Sequence, residues 1–122
     1  ESFRILKNNG YGLFTVPFFW QLHAEPDDYF RFTEFGLKKL FEGKGFNIIK
    51  IKPIEGAYAA LMQAKIVSIY ANNENNPYII RYFRKFQRIF WVPVLNCFTP
   101  FLDRLMYNPK LCINYLVVVQ KP

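Results

Sequence analysis

The spacing of apolar positions changes several times along this chain, and each change marks an element. Residues 11–16 form a nearly continuous apolar run closed by Pro17, which has no amide donor and stops a strand's ladder. A continuous run predicts an inner strand covered on both faces, with parallel neighbours. Over residues 34–42 the apolar positions move to i, i+3, i+4 spacing at Leu37, Leu40 and Phe41, predicting a helix with Lys38 and Lys39 on its wet side. Thr33 is the predicted N-cap. Phe32 and Leu37 have the spacing of a hydrophobic staple, and Gly36 stands where a capping box would place Glu or Gln. Gly43 and Gly45 end the helix. Over residues 46–52 Ile49 and Ile51 alternate with Lys50 and Lys52, which predicts a strand with one face wet or near an edge, closed by Pro53. Residues 11–52 therefore read as one βαβ unit, with a right-handed crossover and parallel strands as the default.

On either side the pattern is simpler. Residues 1–7 read as the end of a helix, with Phe3 and Leu6 three apart. Asn8-Asn9-Gly10 is a turn of residues that tolerate left-handed backbone. Gly12 marks either a close backbone approach or a helix packed tightly above the strand. Residues 57–71 read as a helix with Tyr58, Leu61, Met62, Ile66, Ile69 and Tyr70 along one side. After a polar linker, Pro77 favours a helix start at Tyr78. That helix, residues 78–91, has an apolar face of Tyr82, Phe83, Phe86, Ile89 and Phe90 and a basic face of Arg81, Arg84, Lys85 and Arg88. Pro93 and Pro100 interrupt the stretch after it, and residues 101–106 read as a short further helix. Residues 112–119, rich in β-branched side chains and almost uncharged, predict a central or well-covered strand.

At 122 residues the chain has room for one domain, and aromatic residues make up 20% of it. The net charge of +7 is unevenly placed. Residues 1–56 carry eight basic and seven acidic side chains, whereas residues 57–122 carry eight basic and two acidic. The basic excess therefore belongs to the second half and needs a local cause. Cys97 and Cys112 are too few for a disulfide framework and read as buried thiols in a reducing, cytoplasmic compartment. The first residue is Glu1 rather than Met, so the lack of a signal peptide carries no weight. No run reaches the roughly 20 apolar residues of a spanning helix.

Residues 1–56 also resemble a known family. Arg4, Leu6, Lys7 and Gly10 fit RxLKPGG. His23, Pro26, Asp28, Tyr29, Arg31, Phe32 and Thr33 fit HxxPxDYxRFT. Gly36, Leu37, Leu40, Gly45 and Phe46 fit GLxxLLxxxGF. This series, with an apolar strand ending in proline, resembles the post-midpoint segment of class I S-adenosylmethionine-dependent methyltransferases of the small-molecule type. Residues 115–122 resemble that family's last strand. The resemblance implies an α/β, partial Rossmann-like fold whose three strands are the fifth, sixth and seventh of a seven-stranded sheet, the last antiparallel, with a helical insertion at residues 57–110. Residues 1–122 would then be the C-terminal part of one domain. The N-terminal half, with the glycine-rich cofactor loop and the ribose-binding acid, lies outside them. S-adenosylmethionine would belong to the full-length parent, and this chain alone would not hold it tightly. The family's Pro-Gly is Asn8-Asn9 here, a turn change with similar backbone demands.

Within this frame the polar loop after Pro17 is the expected rim of a pocket for a small-molecule methyl acceptor. His23, the only histidine, is the candidate base or acceptor-orienting group. Asp28, Tyr29, Arg31 and Trp20 are the candidate substrate contacts. Tyr29 and Arg31 are two apart and would point the same way in extended chain, although a salt bridge from Arg31 to Asp28 or Glu34 accounts for the arginine equally well. Phe18, Phe19 and Trp20 must cover the core edge, a helix or a ligand. A metal set of His23, Glu25, Asp27 and Asp28 has one histidine and no second cluster, so no metal site is assigned. Nucleic acid would need more than one narrow basic stripe and a reader motif. The alternative function is a non-catalytic module that sits on a membrane or a protein through residues 78–91, with Arg81, Arg84, Lys85, Arg88, Phe90 and Trp91 as contacts.

Overall fold

The computed structural model describes residues 1–22, 25–70 and 77–122. It is a mixed α/β structure. In order, the elements are α1 (Ser2–Ile5), β1 (Tyr11–Pro17), α2 (Glu34–Glu42), β2 (Asn47–Ile54), α3 (Ala57–Tyr70), α4 (Tyr78–Leu105) and β3 (Asn114–Gln120). The sheet has the order β1-β3-β2, and β3 runs antiparallel to both neighbours.

The expected parallel pairing of the first two strands is therefore not formed. They run the same way, but β3 lies between them. The centre goes to the strand that loses most by being wet: Val117 and Val119 of β3 are fully buried and Tyr115 nearly so. This agrees with the central position expected for that strand. It also makes β1 an edge strand rather than an inner one. Its two faces differ. Gly12, Phe14 and Val16 turn to the core, while Tyr11 and Leu13 are 64% and 69% exposed on the other face.

One helix covers one face of this sheet. Leu37 and Phe41 of α2 pack with Phe46, Tyr115, Val117 and Val119, and Phe3, Leu6, Phe32, Ile48 and Ile51 lie around them. Thr33 caps α2 as expected, its hydroxyl accepting from the Gly36 amide at 3.1 Å. Leu40, by contrast, is largely exposed, so α2 buries a narrower stripe than its spacing predicts. In β2 a bulge between Ile48 and Lys50 shifts the alternation, so Ile48 and Ile51 face inward and Ile49 is exposed. Pro53 lies inside β2, opposite Tyr115. β2 is an edge strand, where a residue without an amide donor is tolerated.

The chain ends are tied together beside β1. Asn9, at φ 60°, makes the left-handed turn, and its amide donates to the Lys121 carbonyl at 2.8 Å. The Lys121 ammonium donates to the Leu6 carbonyl at 3.0 Å and lies over the Phe3 ring. Gly12 is buried under this corner; a Cβ there would come within 2.8 Å of the Phe14 ring and 3.3 Å of the Leu6 side chain, so side chains rather than another stretch of backbone crowd that glycine. At the other end of the core, burial pushes the Tyr115 phenol up to about 12 and raises the thiol of the buried Cys112, which shares a hydrogen bond with it.

α3 and α4 form a hairpin with a small core of its own: Ile66, Ile69 and Val92, with Leu95 against them. α3 is apolar almost all round, so its pattern does not select a face. Ala59 and Ala60 are buried, whereas the expected Leu61 and Tyr70 are exposed. α4 is one helix of 28 residues, not a helix to position 91 and then a second one. Pro93 and Pro100 sit inside it on the outer, exposed side, and Thr99 donates to the Leu95 carbonyl at 2.5 Å.

Candidate functional site

The chain leaves the sheet at Pro17 under firm control. The Phe18 and Phe19 amides both donate to the Ile113 carbonyl, at 2.9 and 3.2 Å, and the Phe18 ring packs against Tyr115. The next residues turn toward α3. Phe19, Trp20 and Gln21 close one side of a cavity of about 300 Å³, with Ala60, Ala64 and Val67 on the other. The helix can offer a concave wall because these three recur at i, i+4, i+7 and two of them are alanines. The lining is apolar except for Gln21. Its volume lies at the low end of small-molecule sites, roughly 300–1,000 Å³.

Of the sequence-predicted contacts, Trp20 lines this cavity. Asp28 and Arg31 form a two-toothed ion pair, guanidinium to carboxylate, which settles the choice between that pairing and Glu34. The carboxylate holds the Arg31 guanidinium above its already high pKa. Arg31 also donates to the Gln21 carbonyl at 3.1 Å, bridging ten residues of loop back to the cavity wall. Its link to the cavity is therefore indirect, through the placement of Gln21. Tyr29 does not join it: the ring is 70% exposed and its hydroxyl donates to Asp27 at 2.9 Å. His23, on which the catalytic assignment rests, lies outside the described residues. Among the described residues no three His, Cys, Asp or Glu side chains group as a metal site.

Sequence reasoning missed a second group, at the ends of α3. Asp103 of α4 is buried and accepts from the amides of Gly56 at 2.8 Å and Ala59 at 3.0 Å, so it caps the start of α3 from another helix. Gly56 has no room for more: a Cβ there would lie 2.8 Å from the Asp103 carboxylate. At the far end Arg88 donates to the Ile69 and Tyr70 carbonyls at 3.3–3.4 Å and lies over the Tyr70 ring. An anion at the N-terminus and a cation at the C-terminus both complement the dipole of α3. The lengths match. α3 has 14 residues, about 21 Å, and Arg88 and Asp103 are separated by about 22 Å of helix. The available signal was that Asp103 is the sole acid after Pro77.

This clamp decides which side of α4 faces outward. The half-buried or buried positions Arg84, Arg88, Val92, Leu95, Thr99 and Asp103 recur at helical spacing toward α3. The expected apolar face is the exposed one, with Tyr82, Phe83, Ile89 and Phe90 all 57–67% exposed. The aromatic side of this helix is thus the outward one. Arg84 and Arg88 belong to the hairpin seam, whereas Arg81, Lys85, Phe90 and Trp91 are exposed. Cys97 lies on the exposed side too and is not the buried thiol expected.

The N-termini of α2 and α3 are both capped from within the chain. The Gly36 amide is taken by Thr33, and the Gly56 and Ala59 amides by Asp103. The loop from β1 to α2 contains no glycine. Comparison of the chain with family models, with curated proteins and with solved structures gave no match.

Proposed function

We propose that this chain is the substrate-side part of an S-adenosylmethionine-dependent methyltransferase acting on a small molecule. The observation that carries the reading is the course of the loop bearing the HxxPxDYxRFT residues. It leaves the carboxyl end of β1, is closed by Arg31 on Asp28 and Gln21, and sets Trp20 against an apolar cavity. Two further features support it: the last strand is antiparallel to the others, and the outer edge of β1 is unpaired among the described residues, beside the exposed Tyr11 and Leu13. An edge of that kind, flanked by exposed apolar side chains, fits further strands of a larger sheet.

On this reading the glycine-rich loop and the ribose-binding acid that hold the cofactor belong to the N-terminal half, and no step is derived through it. What this chain supplies is the acceptor side. Phe19, Trp20 and Ala64 exclude water and favour an acceptor with an apolar body, while Gln21 gives it one polar contact. Asp28 and Arg31 hold that wall in place, and His23 is the base or orienting group of this proposal. Such work lowers a barrier through positioning rather than through new bonds to the protein.

Calorimetric titration with S-adenosylhomocysteine tests the reading, using the chain alone and the product of the full natural reading frame. Binding by the full product and not by the chain alone is expected. Binding by neither overturns the proposal. The other reading, a non-catalytic interaction module, is favoured by one observation, the outward aromatic side of α4.

A further inference from the structure

The side of α4 turned away from α3 is apolar for most of its length. Ile79, Phe83, Phe86, Phe90, Val94 and Phe101 are each 45–76% exposed. Tyr82 and Trp91 are half or more exposed as well, and rings with one polar atom suit a boundary between water and hydrocarbon. A continuous exposed patch of this kind marks a contact surface.

Charge indicates what covers it. The exposed ionised side chains of α3 and α4 are Lys65, Arg81, Lys85 and Arg104, all cations. The one acid among the described residues of these helices, Asp103, is buried with both oxygens engaged. A second copy of the chain would bring a hairpin of the same charge against this one. An anionic lipid surface complements it. Arg81 and Lys85 share with Arg84 and Arg88 the face of the N-terminal half opposite the aromatic side, so with the rings down they stand above them at the level of the headgroups. Arg104 stands at the C-terminal end of the aromatic side and keeps that turn shallow. No helix among the described residues is long and apolar enough to cross a membrane, so the geometry is that of a helix lying flat, about 42 Å long.

We propose that α4 docks this protein on the surface of an anionic bilayer, its aromatic side in the interface and Arg81 and Lys85 at the lipid phosphates. This inference does not depend on the methyltransferase reading. The test uses the full chain with a polarity-sensitive fluorophore on Cys97, mixed with vesicles of phosphatidylcholine alone or with phosphatidylglycerol, and read by co-sedimentation and emission shift. Uptake by the anionic vesicles with a blue shift is expected, weakening as salt rises. Replacing Phe83, Phe86 and Phe90 together by Ser should weaken uptake roughly a hundredfold. Arg81→Glu with Lys85→Glu, which alters no apolar side chain, should weaken it roughly tenfold or more at low salt. Three results overturn the proposal. One is a chain that stays in solution with every vesicle. Another is a triple Ser variant that binds as tightly as the parent. The third is a dimer in sedimentation velocity that the Ser changes abolish, in which case a second copy covers the face.

Discussion

The sheet with α2 and the hairpin of α3 with α4 are held together in different ways. In the first, apolar side chains spaced along each element meet in one core, and Leu37, Val117 and Val119 are fully buried. In the second, the aromatic side chains mostly stay outside, and the packed core is little more than Ile66, Ile69, Val92 and Leu95. What orients that hairpin is charge at its two ends, Asp103 on the amides of α3 and Arg88 on its carbonyls. A hydrophobic pattern reports where apolar groups are wanted. It identifies the inside of this chain only where the chain supplies its own cover.

Substitutions should separate the two regions. The largest effect is expected in the sheet core: Leu37→Ala leaves a cavity and should cost about 3 kcal/mol in chemical denaturation. Next comes the clamp. Asp103→Ala leaves two buried amides without an acceptor and should cost about 2 kcal/mol, with Asp103→Asn recovering part of it and Arg88→Met costing about 1 kcal/mol. If Asp103→Ala changed stability by less than a few tenths, the hairpin would not be held as described.

A smaller effect confined to alkaline solution should mark the core alone. Tyr115 stays neutral in the folded chain up to about 12, against an ordinary value of 10.0, so the unfolded chain releases that proton first. Its contribution to stability is complete below about pH 10 and is lost as pH rises through about 12. Urea denaturation across this window should show the loss, and Tyr115→Phe should flatten it. The smallest effect belongs to the outward side of α4. Phe86→Ser should leave stability within about 0.5 kcal/mol of the parent, although a phenylalanine in a core would cost several. A large loss there would place the ring in the protein's own core.

Much of the first region is legible in the sequence. The Thr33 cap, the Leu37 and Phe41 stripe and the central, buried last strand arise from local chemistry and patterning. Its topology is less so, because nothing in residues 11–52 alone shows that β3 will pass between the first two strands. The bulge at Ile49 is hidden as well, since one extra residue leaves the Ile-Lys alternation intact on paper and shifts it in space. In the site, Trp20 and a salt bridge at Arg31 can be read from residue type and spacing, whereas the choice of Asp28 over Glu34 as its partner cannot. Ala60 and Ala64 cannot, because small side chains that form a wall carry no chemical signature. For α4 the pattern points the wrong way round. Arg84 and Arg88 look like a wet face in the sequence, and only the fold shows that Arg88 reaches the carbonyl end of a neighbouring helix.

The orientation of α4 is tested most directly by the reactivity of the two thiols in the folded chain. Cys97 lies on the aromatic side and is exposed, while Cys112 is fully buried beside Tyr115. A thiol reagent should therefore modify one cysteine rapidly, identified by peptide mapping as Cys97, and reach Cys112 only on unfolding. Protection of both thiols in the monomeric native chain would mean that the aromatic side faces inward, and would contradict the clamp, the hairpin seam and the docking surface together.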